Sequence, residues 1–323
     1  MALSTTSRNA ESLSLIDRLF QAVDAKASPI MVGLDPLLDR LPPFLTQGRK
    51  GGREGAAEAL LEFNLGILEA VADLVPAVKL QMACYELFGP AGLAAFEATC
   101  TQARQMGLIV IDDSKRGDIG STAQLYALGH IGRAPLLQGK SPEALADFVT
   151  VNPYLGSDGT DPFYRVALAE DRGVFLLVRT SNPSSGQYQT AVVDGMPLYE
   201  RIALDLQAQA AQHTGGYGFA PLGAVVGATW PDEAARLRQL MPNVPFLVPG
   251  YGAQGGTGDD VMPSFNDQGY GALINSSRGI LFAWDRLNMA PEDYGLAARR
   301  ATLEMREDLL AAMGRASKRP KGW

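Results

Sequence analysis

Eight short apolar runs, nearly all separated by helical segments and closing on polar tips, organise this chain of 323 residues. They fall at Pro29 to Pro36, Val75 to Ala83, Gly107 to Ser114, Asp147 to Tyr154, Gly173 to Pro183, Leu222 to Thr229, Val244 to Gly250 and Gly271 to Ser277. Runs this short, rich in Val, Ile and Leu and bounded by Gly and Pro, read as buried strands. Strands that alternate with helices pair in parallel through helical crossovers, and eight of them close a (β/α)8 barrel. The expected fold is therefore α/β, a TIM barrel occupying residues 1–323 as a single domain. The alternative is an open doubly wound sheet, which the lack of a G-x-G-x-x-G after the first run weakens.

Between the runs, Leu13, Ile16, Leu19, Phe20 and Val23 recur at helical spacing and predict a helix over about 11–26 that caps one end of the core. The polar, Gly-rich stretch Gln47 to Gly55 reads as an insertion. Thr229-Trp-Pro-Asp232 reads as a capping-box-like start for a helix over Glu233 to Met241. Arg315 to Lys321 is basic and contains Gly and Pro neighbours, which predicts a disordered tail over about 315–323.

Charge and composition narrow the function. The net charge is −7 and no basic stripe crosses the body of the chain, which argues against nucleic acid or an anionic membrane as partner. Two cysteines, Cys84 and Cys100, make no disulfide framework and fit a reducing compartment. The first helix is amphipathic, interrupted by charge and too short to span a bilayer, so a cytoplasmic location is expected. His130 and His213 are isolated and read as structural, and no G-x-S-x-G offers a serine nucleophile.

Chemistry concentrates in Ile111-Asp-Asp-Ser-Lys-Arg-Gly-Asp-Ile-Gly-Ser-Thr122, where the third strand ends. On a strand Asp113 and Lys115 share a face with Ile109 and Ile111, roughly 7 Å apart along the chain. Asp118 lies beyond Gly117 and either folds back or reaches a neighbouring site. In a closed barrel Asp35, Lys79, Asp113 and Lys115 come from three adjacent strands, and with Asp118 they give a chain of lysine, acid, lysine and acid whose members hold one another ionised. Across the rim, Pro249-Gly-Tyr-Gly-Ala-Gln254-Gly255-Gly256 and Ser276-Ser-Arg278-Gly279 follow strands seven and eight, where barrels build phosphate sites from glycine-rich loops. Arg278 supplies a cationic fork and Gln254 a neutral donor on a loop. Lysines beside the acids compete with any metal for negative charge, so no metal is expected.

Together Leu34-Asp35-Pro36, Val78-Lys79, Asp113-Ser-Lys115-Arg-Gly-Asp118-Ile-Gly-Ser-Thr122, Thr180-Ser181-Asn182-Pro183 and the two glycine loops make the chain resemble orotidine 5′-phosphate decarboxylase from about Pro29 to Ile280. The likeness is to the longer bacterial subgroup. The resemblance implies a cofactor-free homodimer that converts orotidine 5′-phosphate to UMP and CO2, the last step of UMP biosynthesis. It implies that Lys115 protonates C6 of the pyrimidine, that Asp113 faces the departing carboxylate, and that Lys79 and Asp35 contact the ribose. It further implies that Asp118 and Thr122 reach the partner subunit's site, that Ser181 binds the pyrimidine edge and bridges to Gln254, and that Gly255 and Arg278 belong to the phosphate site. The rival readings are a metal-dependent relative acting on sugar phosphates, such as 3-keto-gulonate-phosphate decarboxylase or hexulose-phosphate synthase, and a catalytically silent sugar-phosphate sensor.

Overall fold

The computed structural model describes residues 13–252 and 255–323. Eight parallel strands form one closed barrel: β1 (Ile30–Leu34), β2 (Ala77–Gln81), β3 (Ile109–Arg116), β4 (Phe148–Val151), β5 (Gly173–Arg179), β6 (Leu222–Val226), β7 (Phe246–Val248) and β8 (Ala272–Ser276). Neighbours follow chain order, and β8 closes on β1 through Ile30 opposite Ile274 and Val32 opposite Ser276. The barrel expectation holds. The open sheet fails because β1 is paired along both edges.

The larger helices are α1 (Leu15–Lys26), α2 (Arg53–Val71), α3 (Met82–Glu86), α4 (Gly89–Gln105), α5 (Gly120–Ile131), α6 (Ser157–Ala169), α7 (Leu198–Ala210), α8 (Pro231–Leu240) and α9 (Tyr294–Arg315). None among the described residues is long and apolar enough to cross a membrane. Strand alternation splits the core in two. Val32, Leu34, Val78, Val110 and Val149 face outward to the helices. Met31, Ala77, Ile109, Ile111, Phe148, Phe175, Val225, Leu247 and Leu273 fill the barrel. The Phe148 and Phe175 rings meet at 4.9 Å, and two glycines make room for them. A Cβ on Gly173 would lie 2.1 Å from the Phe148 ring, and one on Gly223 2.4 Å from the Phe175 ring.

Helix α1 stoppers the barrel opposite the polar tips, with Leu15, Ile16, Leu19, Phe20 and Val23 joined to the inner cluster. It begins at Ser14, which caps it by accepting from the Asp17 amide, while residues 11 and 12 of the expected helix lie outside the described residues. Its Asp24 accepts hydrogen bonds from Tyr217 (2.6 Å), Tyr270 (2.7 Å) and Trp323 Nε1 (3.1 Å).

That last contact corrects the expected tail. Residues 315–323 pack across this end of the barrel, where Lys318 donates to the carbonyls of Met262 (3.1 Å) and Phe265 (2.7 Å) and Trp323 stacks edge-on against Tyr270. The terminal aromatic and a lysine that finds carbonyl acceptors outweigh the basic, Gly- and Pro-containing composition. A second correction concerns α8: its N-cap is Trp230, with no side-chain capping bond. The Trp230 indole donates instead to the Thr180 carbonyl at 3.0 Å.

Candidate active site

At the C-terminal ends of the strands lies a cavity of about 470 Å³, lined by Asp35, Lys79, Asp113, Lys115, Ser181 and Arg278 among others. Strand β2 delivers Lys79 on the inward face, level with Ile111 of β3. Its side chain is 4% exposed, and its ammonium lies 2.7 Å from Asp113 Oδ2 and 3.3 Å from Asp35 Oδ1. Lys115 Nζ lies 2.6 Å from Asp113 Oδ1. Lys79, Asp113 and Lys115 of the expected chain thus meet, with Asp35 on the other side of Lys79, while its last member, Asp118, does not join them within its own chain.

Asp113 is the centre of this array. Besides the two ammoniums it accepts from Gln81 Nε2 at 3.2 Å and from Thr150 Oγ1 at 2.9 Å. Burial alone would raise its carboxyl, but Lys79 and Lys115 outweigh burial and hold it well below the usual carboxylate range. Lys79 is the mirror case: burial disfavours its charge, yet Asp113 and Asp35 hold its ammonium above the usual lysine range. Burial and the Asp35 charge push the Cys84 thiol up to about 11, so it is no ready thiolate.

Lys115 reaches this place by an irregular route. From Asp112, opposite Val149, to Arg116, opposite Val151, β3 advances four residues while β4 advances two. The surplus forms a bulge, a device that re-aims a side chain at a barrel rim. Lys115 takes a left-handed φ of 50°, and its amide donates to Thr150 Oγ1 at 2.8 Å. The strand thus runs on through the charged motif to Arg116, beyond the expected end at Ser114.

Just after β8, the neighbour of β1, Arg278 is exposed at the start of a short helix, Arg278–Leu281, and its side chain makes no hydrogen bond or ion pair among the described residues. Gly33 lets the Ser277 hydroxyl approach, since a Cβ there would lie 1.9 Å from it. Ser181 sits on a braced segment in which the Thr180 amide donates to Gln189 Oε1 (2.9 Å). A Cβ on Gly227 would press on Ser181 at 2.8 Å.

Three expected residues stay apart from the cavity. Asp118 accepts from the Ile119 amide at 2.7 Å, and Thr122 is exposed on the first turn of α5; neither lines the cavity of its own chain. The Gly255 amide donates to the Gly252 carbonyl, 2.8 Å away, within its own turn. Gln254 lies outside the described residues. Sequence reasoning missed Gln81, Thr150, Asn275 and Gln189. For the first three a signal existed: each stands two residues after an inward-facing Lys79, Phe148 or Leu273 and so shares its face. Among the described residues no three His, Cys, Asp or Glu side chains are grouped to hold a metal.

A family model described as the orotidine 5′-phosphate decarboxylase / HUMPS family matches residues 28–291. The chain belongs to this family. A relative named orotidine 5′-phosphate decarboxylase from Rhodopirellula baltica is 41% identical over 307 residues, covering 92% of this chain and 99% of the relative. One of the same name from Petrotoga mobilis is 40% identical over 302 residues, covering 93% and 99%. The solved structure of Leishmania donovani OMP decarboxylase has a TM-score of 0.70 and 30% identity, covering 93% of this chain and 98% of that chain. The orotidine 5′-phosphate decarboxylase / HUMPS family match takes in all eight strands and both rim arcs, the charged array and the Arg278 loop.

Proposed function

We propose that the protein is a carboxy-lyase that converts orotidine 5′-phosphate to UMP and CO2, with no metal or organic cofactor. The observation that carries this reading is the Lys79, Asp113, Lys115 array across one cavity from Arg278. Loss of CO2 from C6 leaves a carbanion in the plane of the ring, which the ring's π-system delocalises poorly. A fixed cation beside that carbon stabilises it more than water does, because the cation needs no reorganisation as charge develops. Lys115 supplies the cation and then the proton. Asp113, already held by four donors, faces the departing carboxylate and keeps both lysines charged. With both oxygens of Asp113 engaged and Asp35 facing Lys79, the donor set suits a cationic relay better than a divalent ion.

The remaining roles follow the arrangement. Lys79 and Asp35 contact the ribose hydroxyls, Ser181 meets the pyrimidine edge, and Arg278 grips the phosphate, with Gln254 and Gly255 closing from their loop. Phosphate held far from C6 lets remote binding energy offset the cost of excluding water. Asp118 and Thr122 act in the site of a second copy. Support comes from exposed apolar side chains beside them, Ile119, Leu125, Tyr154 and Leu155, which an isolated chain leaves in water. This makes the working form a homodimer, placed in the cytoplasm as the last step of UMP synthesis.

The test is turnover of orotidine 5′-phosphate by EDTA-treated protein, followed by CO2 release and pyrimidine absorbance. Rapid metal-independent formation of UMP is expected. Activity that disappears with chelation, or folded protein that binds UMP without turning over, refutes it.

A further inference from the structure

The bulge that carries Asp113 and Lys115 begins at Asp112 and ends at Arg116, and one imidazole touches both of those residues. His130, on α5, has Nδ1 2.6 Å from Asp112 Oδ2 and accepts at Nε2 from Arg116 Nε at 3.1 Å. Since Nε2 accepts, it carries the lone pair, and the ring proton sits on Nδ1, directed at Asp112. The ring is thus a neutral donor and acceptor at once.

Every group around it is committed to the same arrangement. Asp112 is 1% exposed, and its Oδ1 has no partner among the described residues, so the His130 N–H is the one hydrogen bond its side chain receives. Arg116 is held from further sides, by Glu86 of α3 and by the Tyr126 ring of α5 at 5.6 Å. On the inner face of the same bulge Thr150 takes the Lys115 amide. The left-handed Lys115 backbone is strained for a residue with a side chain, and it persists only where its surroundings over-determine it.

We propose that His130 is a positioning residue for the decarboxylation, bridging the two ends of the bulge so that Lys115 Nζ stays where C6 must be protonated. The inference rests on the proposed function for its activity readout. Its logic is geometric: a wider or flattened bulge swings Lys115 and Asp113 together, and a displacement near 1 Å at a reacting group costs about 100-fold in rate. Substrate binding through Arg278 and Ser181, which follow β8 and β5 rather than β3, is spared.

Two variants separate bonding from packing. His130→Leu fills much of the volume with neither hydrogen bond, and His130→Asn restores a side-chain N–H at the Nδ1 position. In His130→Leu, kcat is expected to fall about 10- to 100-fold with KM within about 3-fold, and His130→Asn to recover about 3-fold or more of that loss. The Lys115 amide resonance in 15N-labelled protein bound to UMP is expected to move in His130→Leu and to return toward its original position in His130→Asn. Unchanged kcat per folded molecule with an unmoved Lys115 amide overturns the proposal. So does a loss of activity that only tracks the folded fraction, with His130→Asn no better. If His130→Leu does not fold, Arg116→Met removes the donor to Nε2 together with the Glu86 ion pair, and Glu86→Gln controls for that pair: a fall in kcat in Arg116→Met well beyond that in Glu86→Gln supports the proposal, and an unchanged kcat or an equal fall in both overturns it. The unsubstituted protein is assayed alongside. Its failure to turn over orotidine 5′-phosphate refutes the proposed reaction, and the Lys115 amide then decides the bridge separately.

Discussion

Lys79 Nζ lies 2.7 Å from Asp113 Oδ2, both side chains nearly withdrawn from solvent, and each holds the other in its charged form. The pairing fixes the sign of the pH response. Asp113 is depressed, so its contribution is present above the ordinary carboxylate value near 3.9 and is lost only as pH falls through its lower folded value. Lys79 is raised, so its contribution is complete below the ordinary lysine value near 10.4 and is lost only as pH rises through its higher folded value. Between about pH 5 and 9 neither group titrates. The Asp113 carboxyl carbon should show no chemical-shift titration across that window; a midpoint inside it would mean the pair is not ionised as the geometry requires.

Removing one partner of a buried pair strands the other. Lys79→Met leaves Asp113 buried with Lys115 as its sole cation, and a loss of about 3 kcal/mol in folding stability is expected. Adding Asp113→Leu to Lys79→Met should then restore part of that stability, because no buried charge remains uncompensated. Denaturant unfolding of the single and double variants checks this. A double variant no more stable than Lys79→Met would show that the pair is not coupled.

Asp118 and Thr122 lie outside the cavity of their own chain, which leads to a test by mixing. Lys115→Ala and Asp118→Ala should each be nearly inactive alone. In a dimer of one copy of each, one of the two sites regains both groups, so mixtures should recover up to about one quarter of the parent rate on statistical assembly. No recovery, after subunit exchange is verified by mass, would place Asp118 in cis or outside the reaction.

The parts legible from sequence were those set by local pattern. Eight apolar runs gave eight strands, and alternation along β1 to β3 put Asp35, Lys79 and Asp113 on one rim arc, where the bulge then delivers Lys115. What stayed hidden depended on contacts between segments distant in the chain. At the Lys115 bulge Thr150 of β4 and His130 of α5 contact β3 from its two faces, and neither residue carries a motif. His130 in particular looked solitary because its partners, Asp112 and Arg116, lie 18 and 14 positions away. The C-terminal segment was misread for the same reason: its composition is that of a tail, and only the fold brings Asp24 to Trp323.

Phosphate contributes to rate as well as affinity if Arg278 drives closure. The nucleoside orotidine, lacking phosphate, should bind weakly and also turn over more slowly by at least about 100-fold in kcat. Adding phosphite, which occupies the vacant anion site, should restore part of the rate in the unsubstituted protein and little of it in Arg278→Ala. A nucleoside turned over at the nucleotide's kcat would mean that the phosphate site serves binding alone.

Trp323 and Lys318 latch the end of the barrel opposite the charged array, so their loss should affect stability and spare catalysis. Asp24 accepts from Tyr217, Tyr270 and Trp323, which joins α1, the segments entering β6 and β8, and the chain terminus at one carboxylate. Trp323→Ala removes one of three donors together with a partly buried indole, an expected cost of about 2 kcal/mol. Trp323→Phe keeps the ring contact with Tyr270 and loses only the N–H, so its cost should be nearer 1 kcal/mol. The active cavity lies at the opposite end of the strands, across the inner layers of Phe148 and Phe175, and kcat at 25 °C should stay within about 2-fold in both variants. Thermal unfolding read beside turnover decides the matter. A melting temperature unmoved by Trp323→Ala would mean that the terminus rests on the barrel without holding it. A fall in kcat at unchanged stability would mean that this end communicates with the charged array.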